Sequence, residues 1–153
     1  REFVSKLPEA YPAAFGSGGC LVLMSHGAGP GVESALAMLR KASQEPHGAR
    51  VLFVNPSGAP STEEALSLLE GSGVERVSLA PLMFEAGYHA KRDMAAPKGS
   101  LRSVFEESGY SVSCIMEGLS EIPAYRRMLL SRMRLKSLRL RCGRMKSLYT
   151  AYR

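Results

Sequence analysis

The sequence predicts an α/β fold: a parallel four-stranded sheet with helices on both faces. Short apolar runs recur along the chain, each run ends at a turn rich in Gly, Pro or polar residues, and stretches with helical periodicity separate the runs. Strands that alternate with helices through short loops imply right-handed crossovers and parallel pairing. A chain of 153 residues, 45% hydrophobic and 22% charged, suits one compact domain.

The first half of the chain predicts two strands and a helix between them. The apolar run over residues 20–25 stops at a glycine-rich turn, as a buried strand does. Apolar residues at a spacing of 3.6 then predict a surface helix over 32–43, which Pro46 closes. Residues 50–54 form the second strand.

The second half repeats the pattern. A helix begins at Ser61, because Ser61-Thr-Glu-Glu has the spacing of a capping box. Residues 76–80 form a third apolar run, which leads into a long loop. A helix over 98–108 stops at a glycine, and the fourth strand covers 111–116.

The positive charge is confined to the C-terminus. Residues 1–125 hold ten Lys and Arg and fourteen Asp and Glu, a net charge of −4, whereas residues 126–153 hold ten Lys and Arg and no acid, a net charge of +10. We therefore divide the chain into an N-terminal remnant or linker (1–19), a folded domain (20–130) and a basic tail (131–153) that is disordered or non-native. An evolved basic arm is the alternative for the tail.

The C-terminal sequence also predicts where the last helix lies and where the chain becomes poorly ordered. A last helix is expected to begin near Pro123 and to include about the first two turns of the basic stretch that starts at Tyr125. Poor order is expected beyond Leu140.

Several classes of protein are excluded or disfavoured. No stretch approaches the roughly 18 apolar residues of a membrane span, and no secretory signal is present, so we expect a cytoplasmic protein, truncated at its start. Cys20, Cys114 and Cys142 form no Cys-x-x-Cys pair and are expected to be reduced thiols. The glycine-rich turn lacks the third glycine of a dinucleotide fingerprint, and no Gly-x-Ser-x-Gly elbow exists.

Two histidines follow strands of the predicted sheet. His26 comes directly after the first strand, and His89 lies in the loop after the third. The carboxyl ends of parallel strands share one edge, which is where ligands bind. Neutral imidazole suits cobalt, iron, nickel or zinc, so the pair predicts a site for one divalent ion with an open coordination sphere. The alternative for His26 is a hydrogen bond to the next loop.

Asp93 is the only aspartate of the chain and stands four residues after His89. That spacing places both on one helical face, where a carboxylate can orient an imidazole and raise its basicity. A surface residue or a local cap is the alternative for Asp93. His47 lies at the opposite end of the sheet, where we expect it to be solvated.

Four segments together resemble a known family. They are Leu23-Met-Ser-His-Gly27, Gly58-Ala-Pro-Ser61, Pro81-Leu-Met83 with Ala86-Gly-Tyr-His-Ala-Lys-Arg-Asp-Met94, and Glu117-Gly-Leu-Ser-Glu-Ile-Pro-Ala124. In order and spacing they resemble the C-terminal half of the anaerobic-type (CbiK-like) sirohydrochlorin cobaltochelatases, which are class II chelatases related to ferrochelatase. The resemblance covers residues 20 to about 130.

The resemblance implies a flavodoxin-like chelatase half-domain. It implies insertion of Co2+, or alternatively Fe2+ or Ni2+, into the tetrapyrrole sirohydrochlorin for cobalamin or sirohaem. His26 and His89 match the two catalytic, metal-holding histidines, and Ser57 stands at the position of a glutamate ligand. A serine hydroxyl is a weak ligand and no base at neutral pH. Glu85 or Glu117 could substitute for that glutamate.

The resemblance also implies contacts with the substrate and with partners. Lys91 and Arg92, together with arginines of the tail, are candidate substrate contacts, because sirohydrochlorin carries several carboxylates that basic side chains can bind. Glu117, on a loop at the same edge, is a further candidate contact. The alternative for Lys91 and Arg92 is that they are simply solvated. A homo-oligomer or the missing N-terminal half would complete the cleft. No membrane partner is expected.

Two other functions stay open at this stage. Ser57 and the missing half favour a non-catalytic tetrapyrrole or metal carrier. The basic tail could also bind nucleic acid, but this function is disfavoured because the sequence contains no nucleic-acid recognition motif.

Overall fold

The computed structural model describes residues 1–27 and 29–134. Within these residues four strands form one parallel sheet in the order β2-β1-β3-β4. The strands are β1 (Gly19–Met24), β2 (Val51–Val54), β3 (Arg76–Pro81) and β4 (Ser111–Cys114). The predicted fold class is confirmed, and each predicted strand is present with ends shifted by two residues or fewer.

Six helices pack around this sheet in the described part of the chain. They are α1 (Glu2–Ser5), α2 (Leu7–Ala10), α3 (Pro30–His47), α4 (Thr62–Leu69), α5 (Leu101–Glu107) and α6 (residues 123–134). Core residues of α1, α2, α3 and α6 pack on one face, and those of α4 and α5 pack on the other. No helix among the described residues is long and apolar enough to cross a membrane.

Helix α3 runs beyond its predicted end. Pro46 was expected to close the helix but lies inside its last turn, and Gly48, at φ 56°, ends it. Pro46 has no N–H to donate, but the Gly48 N–H donates to the Gln44 carbonyl oxygen, and this bond closes the last turn. His47, expected to be solvated, is half-buried: its Nε2 lies 3.2 Å from the Val4 carbonyl oxygen and its ring packs edge-on against Phe15. That expectation was wrong, because α1 covers this end of α3.

Residues 1–19, predicted as a remnant or linker, fold onto the sheet. Val4, Leu7, Tyr11 and Ala14 are buried in the same core as β1 and α6. Cys20 and Cys114 are thiols, as expected, and burial raises the pKa of Cys20 to about 12. The boundary at residue 130 stays a prediction, and residues 135–153, with most of the predicted tail and Cys142, lie outside the described residues.

The strand order places the histidine-bearing loops side by side. Helix α3, which connects β1 to β2, packs on one face of the sheet. Helices α4 and α5, which connect β2 to β3 and β3 to β4, pack on the other face. The strand order reverses between β1 and β3, where open α/β sheets form their binding crevice. Met24 pairs with Pro81 at the ends of these strands, so the loops that follow begin next to each other.

The loop after β3 is held by the loop after β4. Backbone N–H groups of Leu119 and Ser120 donate to the carbonyl oxygens of Met83 and Phe84. Gly118 permits this approach, because a Cβ there would lie 2.5 Å from both Phe84 O and Glu85 Cα.

A methyl group at Gly118 should therefore be costly. We expect Gly118→Ala to lower the free energy of unfolding by about 1–3 kcal/mol, the usual cost of forcing extra atoms into a packed contact. Gly87→Ala is the matched control in the partner loop after β3, since a Cβ there meets nothing within 4 Å. Urea unfolding of the two variants measures the difference, and equal midpoints would contradict this account of the loop.

Candidate metal and substrate site

The imidazoles of His26 and His89 meet at the carboxyl edge of the sheet. Their ring centroids lie 3.5 Å apart and their planes differ by 20°, so the rings stack. In the part of the chain that the structure describes, His26, His89 and Asp93 form the one group of three metal-ligand side chains, with ligand atoms within 4.8 Å of one another. Their roles as ligands stay a prediction, but the geometry brings the two rings together.

A short π-helical turn places His89 and Asp93. The turn covers Ala90–Met94, and the Ala95 N–H donates to the Ala90 carbonyl oxygen five residues earlier. His89 Nδ1 donates to Asp93 Oδ2 at 2.7 Å. Since Nδ1 is occupied by this bond, the lone pair of neutral His89 lies on Nε2.

The stacked rings are close enough to share one ion after a small rearrangement. A metal–nitrogen bond of about 2.1 Å allows two nitrogens on one ion to be at most about 4.2 Å apart. Each lone pair lies in the plane of its ring, so two nearly parallel rings must tilt apart to direct both lone pairs at one ion. His26 is exposed and the side chain of His89 is 40% exposed, which leaves room for that tilt.

Asp93 has a partner for each carboxylate oxygen. Oδ2 accepts from His89, and Oδ1 lies 3.2 Å from Arg92 Nε. The Nη1 of Arg92 also donates to the Tyr88 hydroxyl at 3.1 Å, and the guanidinium lies over the Tyr88 ring. The hydrogen bond with Tyr88, followed by the electrostatic attraction of Tyr88 and Asp93, raises the pKa of Arg92.

A cleft of about 490 Å³ opens beside the histidines. Its walls come from the loops that carry His26 and Ser57, from the π-helical turn, and from the starts of α4 and α5. The lining residues are His26, Pro56, Ser57, Thr62, His89, Arg92, Asp93, Gly99, Ser100, Leu101 and Val104. Ser57 therefore faces the same cleft as both histidines, while its match to a glutamate ligand stays a prediction.

Two of the predicted substrate contacts lie outside this cleft. Lys91 and Glu117 are exposed and are not among its lining residues. Burial raises the pKa of Tyr11, and the negative charge of Glu117 raises it further, so Glu117 acts on Tyr11. Their contacts with a substrate stay predictions.

Asn55 is a residue that the sequence analysis did not assign to the site. It is 1% exposed, its Nδ2 donates to the Gly27 carbonyl oxygen at 2.9 Å, and its Oδ1 accepts from the Ser57 N–H at 3.1 Å. The side chain thus ties the loop after β1 to the turn that carries Ser57. An asparagine directly after a buried strand was the available signal, because Asn readily forms such turns.

Three comparisons place the chain among known proteins. The family model described as cobalt chelatase (CbiK) matches residues 1–137. Sirohydrochlorin cobaltochelatase of Salmonella typhimurium is 34% identical over 113 residues, which cover 72% of this chain and 42% of that protein. The chain thus spans less than half of that relative's length.

A solved structure supports the fold. The chain resembles that of a CbiX protein assigned to cobalamin (vitamin B12) biosynthesis in Marinobacter aquaeolei, with a TM-score of 0.53 and 22% identity. The match covers 79% of this chain and 97% of the other. The resemblance read from the sequence motifs is confirmed by the family match, and the chain belongs to the CbiK cobalt chelatase family.

Proposed function

We propose that this chain inserts cobalt(II) into sirohydrochlorin, with iron(II) and nickel(II) as alternative metals. The observation that carries the proposal is the stacked pair of His26 and His89 with Asp93 bonded to Nδ1 of His89. Membership of a chelatase family supports the reaction class, and the relative named sirohydrochlorin cobaltochelatase supports this tetrapyrrole.

The chemistry needs a loosely held ion and a base. Insertion removes two N–H protons from the macrocycle while the ion exchanges its ligands for the ring nitrogens. Two imidazoles hold the ion with most of its coordination sphere open, so the ring nitrogens can displace them one at a time. The first imidazole released accepts one N–H proton, and the second proton passes to solvent.

The loop that carries His89 exposes side chains that suit a flat, acidic ligand. Phe84 is 62% exposed and Tyr88 is 64% exposed, and the Tyr88 ring lies 5.6 Å from that of His89. Such rings stack well on the face of a macrocycle. The exposed ammonium of Lys91 is a candidate partner for a peripheral carboxylate.

The second wall of the substrate cleft has to come from elsewhere. The site lies on one edge of a single sheet, and the histidine side of the cleft is open. We propose that a second copy of the chain, or an N-terminal half matching the rest of the longer relative, covers the other face of the macrocycle.

An anaerobic insertion assay tests the proposal. The full chain is mixed with cobalt(II) chloride and sirohydrochlorin, and the change from the free to the metallated absorption spectrum is followed. We expect a rate above that of the same mixture without protein. A rate equal to that background would reject the chelatase.

The same assay addresses the alternative of a tetrapyrrole or metal carrier. That alternative is favoured by one observation, the serine that faces the cleft at the position of the family's glutamate. Binding of cobalt and sirohydrochlorin without any turnover would select it.

A further inference from the structure

Arg92, unlike its neighbour Lys91, contacts side chains of its own loop at several points. Its Nε lies 3.2 Å from Asp93 Oδ1, and its Nη1 donates to the Tyr88 hydroxyl at 3.1 Å. Its guanidinium also lies 5.5 Å from the centre of the Tyr88 ring. These contacts direct the guanidinium towards residues of the same loop. A substrate carboxylate would have to compete with Asp93 for it.

The contacts fix the carboxylate on which His89 depends. An isolated exposed ion pair contributes little, but a planar guanidinium held at several points orients its partner. With Oδ1 held by Arg92, Asp93 directs Oδ2 at His89 Nδ1, where the separation is 2.7 Å. Partners of this kind commonly set the tautomer and orientation of a metal-binding imidazole.

We propose that Arg92 is a positioning residue rather than a substrate contact: it holds the Asp93 carboxylate so that His89 keeps its proton on Nδ1 and presents Nε2 to the metal. The inference rests on the proposed function, which supplies the cobalt(II) ion that His89 would bind. It changes the role expected for Arg92 from binding the rim of the macrocycle to orienting a ligand.

Cobalt affinity and substrate kinetics separate the two roles. We expect Arg92→Ala to weaken cobalt(II) binding by about tenfold and to lower kcat, with the KM for sirohydrochlorin unchanged. Arg92→Lys keeps the charge but lacks the fork that reaches Asp93 and Tyr88 together, so it should not restore cobalt affinity. Tyr88→Phe should weaken cobalt binding by a smaller factor, and Lys98→Ala, the loss of an exposed positive charge that does not line the cleft, should leave it unchanged.

The opposite pattern would overturn the assignment. If Arg92→Ala raised the KM for sirohydrochlorin and left cobalt affinity intact, or if lysine restored the activity, Arg92 would be a substrate contact.

The tautomer of His89 supplies a readout that needs no metal. In 15N NMR spectra of the metal-free full chain, we expect the wild type to show His89 protonated on Nδ1 and Arg92→Ala to show a mixture of tautomers. The same tautomer in both proteins would contradict the inference, even if the wild type inserted cobalt. Absence of cobalt binding by the wild type, with the tautomer changed in the variant, would reject the proposed function alone.

Discussion

Replacing either His26 or His89 with alanine is expected to weaken cobalt(II) binding by at least about 100-fold and to abolish insertion into sirohydrochlorin. The two imidazoles stack 3.5 Å apart and supply two of the three ligand-type side chains of the cluster. Removing one leaves a single imidazole beside a carboxylate that already forms an ion pair with Arg92. Such a remnant holds a borderline metal ion poorly.

The third histidine provides the control. His47 lies at the far end of α3 and contacts Val4 and Phe15, so His47→Ala removes an imidazole without touching the edge that carries the site. Calorimetric titration with cobalt(II) chloride compares the three variants with the wild type. Wild-type affinity in His26→Ala or His89→Ala would remove the basis of the proposed function.

Introducing a carboxylate at position 57, as in Ser57→Glu, is expected to strengthen cobalt binding by at least about tenfold, a gain of about 1.4 kcal/mol. Ser57 is exposed and lines the same cleft as both histidines, so a longer side chain at this position can extend towards them without displacing the core. A set of two histidines and one carboxylate is a common arrangement at catalytic metal sites. Insertion should also become faster if the new carboxylate accepts a proton.

Ser57→Gln tests whether the gain comes from charge. Glutamine has the length of glutamate but neither its negative charge nor its basicity, so it should give little of the increase. Titration with cobalt(II) and the insertion assay are run on both variants. Equal affinity in Ser57→Glu and the wild type would mean that position 57 does not reach the ion in this chain.

The sheet and the shared histidine edge could be predicted because they depend on local patterns. Apolar runs marked the strands, and His26 followed one of them directly, so the rule for parallel strands placed it at the same edge as the loop with His89. The spacing of His89 and Asp93 likewise predicted one helical face, and the π-helical turn provides it.

Other features depend on tertiary contacts that leave no periodic signal. Helices α1 and α2 have four residues each, too few to show an amphipathic pattern, so the burial of Val4 and Leu7 was not anticipated. The contacts of His47 were missed for the same reason. Arg92, by contrast, follows Tyr88 at the helical spacing of four, a local signal that the prediction of a substrate contact for Arg92 did not use.

The contacts of Asn55 could not be predicted for a further reason, which is that they join segments distant in the sequence. Its position after β2 indicated a turn, but its bond to the Gly27 carbonyl oxygen joins loops that are 28 residues apart in the chain. Only the parallel pairing of β1 and β2 brings those loops together. The packing of the site therefore could not be derived until the strand order was known.

The most direct test of the central claim is a crystal structure of the full chain soaked with cobalt(II), with anomalous data collected at the cobalt edge. We expect one anomalous peak at the carboxyl edge of the sheet, about 2.1 Å from a ring nitrogen of both His26 and His89, with the two rings tilted apart from their stacked arrangement. A peak bound to one imidazole alone, or cobalt located away from this edge, would contradict it.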